Sequence, residues 1–199
     1  MIRYHVLFGI CLLLALTGCL GSIAPITNSS ETDDVLLGTW RACQGTKIVV
    51  ARGGADSGGY TMKITDGETH KTVTYRLLIL RIGNEEFADA FYAPRDVKAD
   101  EFLAVHVIAL IHHDGNDLLV RPMNYEWWND EHLEGSGLHV VNGRDSLGLI
   151  LGEPSDLRAV FAAHAHDPQV FLGPDKGRNY GRLKRQWSAE EARGCSEDL

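Results

Sequence analysis

The sequence predicts a mainly β domain with minor α content, an antiparallel meander that forms a small closed or half-closed barrel. Three observations lead to this fold class. Short apolar runs recur along residues 35–151, and several of them alternate with polar residues as strands do. Turn residues such as Asp66-Gly67 and Asn142-Gly143 separate neighbouring runs. Strand and helix do not alternate regularly along the chain, which argues against a parallel sheet.

The predicted strands are short and are rich in β-branched and aromatic residues. Residues 60–65 alternate strictly, and with 71–81 they predict a hairpin. The longest apolar run, 102–113, predicts a second hairpin with the run that follows it. The predicted strands are 36–42, 46–52, 60–65, 71–81, 86–92, 102–113, 117–123, 138–141 and 147–151.

Two or three short helices complete the prediction. Residues 125–133 are expected to form one of them. Pro154 opens another that runs to about residue 165, with Ser155 able to cap free backbone amides. A last helical turn is predicted over 188–193. The second helix presents one apolar face at helical spacing, made of Leu157, Val160, Phe161 and His164.

The N-terminal segment predicts export. Arg3 and His5 precede an apolar run over residues 6–16, which is too short for a stable membrane span. We therefore expect residues 1–18 to be a signal peptide that is removed. The charge of the whole chain, -8, argues against nucleic acid as a partner, because phosphate binding needs clustered Lys and Arg.

The end of this signal, Leu16-Thr17-Gly18-Cys19, resembles a bacterial lipobox. The resemblance implies that the Cys19 thiol takes a diacylglyceryl group and that the mature chain begins there. An acylated Cys19 would hold the protein on a lipid bilayer without a membrane-spanning helix. The alternative is an ordinary secretory signal in which a cysteine happens to follow a small residue.

The predicted anchor also suggests a location. In the lipoproteins that the motif resembles, Asp after the cysteine favours the inner membrane, whereas this chain has Leu20. We expect an outer-membrane protein that faces the periplasm. Residues 19–34 are predicted to be the lipidated cysteine and a flexible tether, which could reach about 50 Å when extended. A single β-rich domain would then occupy residues 35–199.

Two cysteines remain for the folded domain in this interpretation. Cys11 leaves with the signal and Cys19 is acylated, so Cys43 and Cys195 are expected to form a disulfide in an oxidising envelope. Such a bridge closes a loop of about 150 residues and would contribute about 4–5 kcal/mol in the chain-entropy model. Two free thiols are the alternative.

Gly38-Thr39-Trp40, at the start of the first predicted strand, resembles the Gly-x-Trp opening of lipocalin-like barrels. The resemblance implies that Trp40 packs at one end of the barrel. An arginine late in the chain would then stack on the indole, with Arg182 and Arg185 as candidates.

The wider layout resembles a family of uncharacterised bacterial lipoproteins. The features that carry this resemblance are the Gly-x-Trp strand, the hairpin of residues 60–81, a His-bearing strand at 102–111 and the segment from Leu149 to His164. The family has no assigned activity, so it implies fold and location only.

Histidines and aromatic residues offer candidate chemistry. A metal site built on one strand fails, because His106 and His112 would lie about 20 Å apart. Gly135-Ser136-Gly137 lacks the spacing of a nucleophile elbow. No nucleotide-binding glycine motif occurs, and no cofactor is expected.

The aromatic residues have two interpretations. Trp40, Tyr125, Trp127 and Trp128 either line a ligand pocket or pack as core and rim. Because neighbouring residues of a helix or strand point in different directions, one of Trp127 and Trp128 is expected to be exposed. The sequence favours non-catalytic binding of a small apolar ligand or of an envelope partner. The alternative is a metal-dependent hydrolytic enzyme that uses His and Asp.

Overall fold

The computed structural model describes residues 20–31, 34–54, 58–92, 104–128, 132–142, 148–172, 181–188 and 190–191. Its centre is an eight-stranded, antiparallel, closed β-barrel, and one α-helix packs outside it. The predicted fold class, a mainly β and lipocalin-like barrel, is therefore confirmed. No helix in these described ranges is long and apolar enough to cross a membrane.

Eleven strands are described. They are β1 (Leu20–Ser22), β2 (Gly38–Ala42), β3 (Lys47–Arg52), β4 (Tyr60–Thr65), β5 (Thr72–Ile82), β6 (Glu85–Phe91), β7 (His106–Asp114), β8 (Asp117–Pro122), β9 (His139–Asn142), β10 (Gly148–Leu151) and β11 (Arg182–Lys184). A 3-10 helix spans Asp34–Leu36 and helix α1 spans Pro154–His164.

The barrel wall is a meander that the end of the chain closes. Strands β2 to β8 each pair antiparallel with the next one. β11 then fits between β8 and β2, where Leu183 lies opposite both Leu118 and Ala42. Because every wall strand has two neighbours, the barrel has no open edge.

A small additional sheet extends from one side of the wall, and we call it the wing. It consists of β1, β10 and β9. β1 pairs antiparallel with β7 where Ser22 lies opposite His106, and it pairs in parallel with β10. β9 pairs antiparallel with β10 and is the outermost strand of the wing within the described ranges.

The predicted flexible tether is wrong over residues 20–31. β1 lies within this segment, and Ile26 is fully buried. Ser30 and Glu31 bond the backbone of β5, where Ser30 Oγ accepts the N–H of Ile79 and the N–H of Glu31 donates to the Ile79 carbonyl. Composition suggested a linker because polar residues dominate here, but their polar groups satisfy buried backbone instead of water.

Two apolar cores lie on the two sides of the β6–β7 wall. Along β6 the side chains alternate, so that Phe87 points outward and Ala88 points into the barrel. Helix α1 covers the outer side with a face that contains Leu157, Val160 and Phe161, as its spacing predicts. These two wall strands therefore lie between two hydrophobic layers.

The ends of the predicted helices differ from expectation. Helix α1 begins at Pro154 with Glu153 at the N-cap position, and no side chain makes a capping hydrogen bond, so Ser155 does not cap it. Residues 125–127 and 132–135 form turns and not the predicted helix, within the part of 125–133 that is described. Trp127 and Trp128 in this segment are both buried against the barrel wall, and a regular helix would not place both side chains there.

Candidate functional site

One end of the barrel is closed by Trp40 and Arg185. The guanidinium carbon of Arg185 lies 4.2 Å from the centroid of the fully buried Trp40 ring. Arg185 also donates to the carbonyls of Leu37 and Val35, at 2.9 and 2.6 Å. The indole N–H of Trp40 donates to the Leu36 carbonyl at 2.9 Å. These bonds join β2, the 3-10 helix and the chain after β11 into one plug.

Gly38 makes room for this stack. A Cβ atom at residue 38 would lie 2.7 Å from Nη1 of Arg185, so any larger residue would displace the guanidinium. The Gly-x-Trp pattern thus has a steric reason: the glycine leaves space for the cation that covers the tryptophan two residues later. Arg182, the other candidate, lies elsewhere and pairs with Asp117 at 3.5 Å.

Buried side chains line the barrel interior. The members of this inner core contact one another as a single cluster. Tyr60 and Tyr75 are buried inside it, and the Tyr75 and Tyr92 rings meet edge to face at 6.2 Å. The interior of an eight-stranded barrel is wide enough either for side chains alone or for one small ligand. The inner core consists of Leu36, Trp40, Ala42, Ile48, Val50, Tyr60, Ile64, Tyr75, Leu77, Ile79, Ala90, Ile111, Leu118 and Leu183.

Trp127 and Trp128 are both buried, at 5% and 1% exposure, so the prediction that one of them faces solvent is wrong. Their rings meet edge to face at 5.3 Å. They belong to the apolar core outside the β6–β7 wall, which we call the outer core. Trp127 also stacks on His132 and lies 5.2 Å from the His164 ring, while Trp128 meets Phe161 at 5.3 Å. An irregular turn lets consecutive side chains share one side, which neither a helix nor a strand allows.

A buried polar pair, which the sequence did not reveal, holds the N-terminal segment on the wall. Asp89 on β6 is fully buried, and its Oδ1 lies 2.7 Å from Nδ1 of His106 on β7. Its other oxygen accepts the N–H of Ile26 at 2.9 Å. Asp89 therefore uses both oxygens to connect two wall strands with the chain that follows β1. The sequence feature that could have revealed this pair is Asp89 itself, an aspartate at a position of the strand whose neighbours on the same side are apolar.

Ser22 lies opposite His106, so Ser, His and Asp are neighbours on this face. The hydroxyl oxygen of Ser22 accepts the N–H of Ala24 at 3.1 Å. All three residues are buried under the outer core. The arrangement connects backbone segments and offers no exposed nucleophile.

The remaining histidines point in different directions. His113 turns into the barrel, where its Nε2 lies 3.7 Å from Glu86, and Arg81 approaches the same carboxylate at 3.6 Å. His166 pairs on the surface with Glu85 at 3.0 Å. The residues of the described ranges contain no group of three or more His, Cys, Asp or Glu that could hold a metal ion.

The wing has one face away from helix α1, and an apolar strip crosses it. Gly21 lies opposite Leu149, which lies opposite Val141. Val105 lies above Gly21, since a Cβ atom added to Gly21 would lie 2.6 Å from Cγ1 of Val105. Val141 is 50% exposed, Leu149 and Val105 are partly exposed, and Gly21 is buried between them. We call these four residues the apolar strip.

Of the three cysteines with a predicted role, the structure describes one. Cys19 and Cys195 lie outside the described residues, and Cys43 lies in the turn between β2 and β3. The C-terminal chain does approach this turn, because the indole N–H of Trp187 donates to the Arg41 carbonyl at 2.8 Å.

A small ionic cluster fixes the chain after β11. Lys184 bonds Glu191 and lies 3.5 Å from Asp117. Glu191 Oε2 accepts the N–H of Ser188, and the Ser188 hydroxyl accepts the N–H of Glu191, which is a capping box. The Lys184 hydrogen bond, together with those from Ser188, lowers the pKa of Glu191 to about 2. The same bond to Glu191 raises the pKa of Lys184.

Comparison with known proteins finds no matching family model, no matching curated protein and no matching solved structure.

Proposed function

We propose that this chain is a lipid-anchored protein of the bacterial envelope that acts by binding a partner and not by catalysis. The observation that carries the binding mode is the packed barrel interior, in which Trp40, Tyr60 and Tyr75 belong to one buried cluster. A carrier of a small apolar ligand needs a cavity of about 300 Å³ or more. The interior side chains contact one another as one cluster, which favours recognition through the outer surface.

The anchoring half of the proposal rests on the lipobox-like residues that end at Cys19. Replacing Cys19 with Ser should move the protein from the membrane fraction to the soluble fraction, because two acyl chains suffice for stable anchoring and none would remain. Cys11→Ser is the matched control, and it should stay with membranes. If the Cys19→Ser protein still sediments with vesicles, lipid anchoring at this residue is wrong.

The binding half is tested on the protein extracted from membranes in mild detergent. Denaturing mass spectrometry of the extract, with the acylated chain accounted for, should find no apolar molecule in stoichiometric amount. One equivalent of a fatty acid, sterol-like or other apolar compound that survives gel filtration would favour a carrier instead.

The proposal includes a disulfide between Cys43 and Cys195. The bond from Trp187 to Arg41 supports it, because it brings the last segment of the chain beside the turn that holds Cys43. Peptide mapping without reduction should yield one crosslinked peptide that contains both residues. Alkylation of both thiols in the unreduced protein would contradict the bridge.

A further inference from the structure

The distance between the predicted anchor and the folded domain is a single peptide unit. Leu20 follows Cys19 directly, is buried in the outer core and belongs to β1. Adjacent Cα atoms lie about 3.8 Å apart, so acyl chains on Cys19 would begin beside the wing. A tether of about 15 residues would have let the barrel lie up to about 50 Å away and turn freely.

The wing offers one side for contact. Its Leu20 and Ile150 point into the outer core, so that side is covered by helix α1 and its neighbours. Gly21, Leu149 and Val141 point to the other side because side chains alternate along a strand. Val141 and Val35 are the exposed large apolar residues of the described ranges, and Val35 lies at the Trp40 end of the barrel.

We infer that the apolar strip, formed by Val105, Gly21, Leu149 and Val141, rests on the lipid bilayer when Cys19 is acylated. This inference depends on the proposed anchoring. The strip itself carries no charge, and the exposed His139 lies beside it on the same face of the wing. A bilayer surface accepts valine and leucine side chains at the boundary between headgroups and acyl chains. A weak contact suffices, because the anchor makes it intramolecular and holds the strip at a high effective concentration near the membrane.

The test uses full-length acylated protein in vesicles of phosphatidylethanolamine and phosphatidylglycerol. A nitroxide is attached through a ketone-bearing amino acid, which leaves every cysteine in place, either at residue 141 or at residue 63. Lys63 is exposed on β4 and is the matched control position. At residue 141 the ratio of oxygen to nickel-chelate accessibility should rise severalfold on vesicles, and at residue 63 it should not change.

A second variant separates contact from anchoring. A flexible Gly-Ser spacer inserted between Cys19 and Leu20 should leave acylation and sedimentation intact while lowering the effect at residue 141. If the acylated protein sediments but residues 141 and 63 stay equally accessible to the water-soluble reagent, the contact is wrong and the anchor stands. If mass spectrometry finds no acyl chain on Cys19, the anchor fails and the inference fails with it.

Discussion

The guanidinium of Arg185 covers the indole of Trp40 at 4.2 Å, and it reaches across the barrel end to two backbone carbonyls that precede β2. One side chain thereby connects parts of the chain that lie 148 positions apart, since Arg185 bonds Leu37. The barrel end is held by a cation over a fully buried ring and by two charge-assisted hydrogen bonds.

Removing this cation should weaken the whole barrel. We expect Arg185→Ala to lower the free energy of unfolding by about 2–4 kcal/mol. The change removes the cation–π contact and the hydrogen bonds that Arg185 donates to the carbonyls of Leu37 and Val35. Arg185→Lys should recover only part of the loss, since an ammonium lacks the planar fork. Denaturant unfolding followed by tryptophan fluorescence measures the change.

Arg182→Ala is the matched control, because Arg182 is about half exposed and pairs with Asp117 at 3.5 Å on the surface. Its loss should stay below about 1 kcal/mol. Equal losses for the two arginine variants would contradict a special role for Arg185.

The buried Asp89 should be more sensitive to truncation than any surface carboxylate. Asp89→Ala leaves the Ile26 N–H and the His106 ring without their acceptor, which should destabilise the fold by about 3 kcal/mol. Exchange of the Ile26 amide with deuterium should accelerate beyond what the change in global stability explains. Glu68→Ala, in an exposed turn, is the control and should change stability by less than about 0.5 kcal/mol. An unchanged Ile26 amide would show that Asp89 does not hold this segment.

Gly181, just before β11, should tolerate no side chain. Its φ is +76°, and a Cβ there would overlap the carbonyl oxygen of Val120, which is backbone and cannot move alone. Gly181→Ala should therefore lower the free energy of unfolding by about 2–4 kcal/mol. Gly83→Ala has a similar φ, +62°, but meets no atom within 4 Å, so about 1–2 kcal/mol is expected there. Thermal unfolding of both variants measures the difference, and a similar loss in each would refute a steric role.

The capping box after β11 should persist in acid. The pKa of Glu191 is lowered from 4.5 to about 2, first by the Lys184 hydrogen bond. Since the folded pKa lies below the unfolded one, the stabilisation is complete above about pH 4.5 and is lost as pH falls through about 2. Carboxyl-carbon NMR should show this low midpoint. Lys184→Ala should raise the pKa of Glu191, whereas Lys63→Ala should not, and an unshifted midpoint in the Lys184 variant would contradict the assigned cause.

The meander could be predicted because its signals are local. Residues 60–65 alternate apolar and polar side chains, and β4 spans Tyr60–Thr65 in the structure. The role of Trp40 also followed from a short pattern, because a glycine, a tryptophan and a late arginine suffice to describe the plug.

The sequence analysis did not predict β1 and β11, because both strands depend on partners that are distant in the sequence. β11 is three residues long with one buried side chain, Leu183, and it exists because β8 and β2 leave a gap of one strand. β1 contains glycine and serine. It pairs with β7 and β10, and its Leu20 lies in the outer core with residues of helix α1. Neither segment has a period of its own, so only the tertiary structure defines them.

The position of β11 also bears on how fast the protein folds. Strands β2 to β8 can pair in the order in which they are synthesised, and each adds to its predecessor through a short or moderate loop. β11 can pair with β2 and β8 only after residues 182–184 have been synthesised, and it must pair with both strands together, with Leu183 opposite Ala42 and Leu118. Long-range closure of this kind slows folding, and until it occurs β2 and β8 are open edges on which other chains can pair. We therefore expect barrel closure to be the late, slow step, and the period before it to be the time at which the protein is most prone to aggregate.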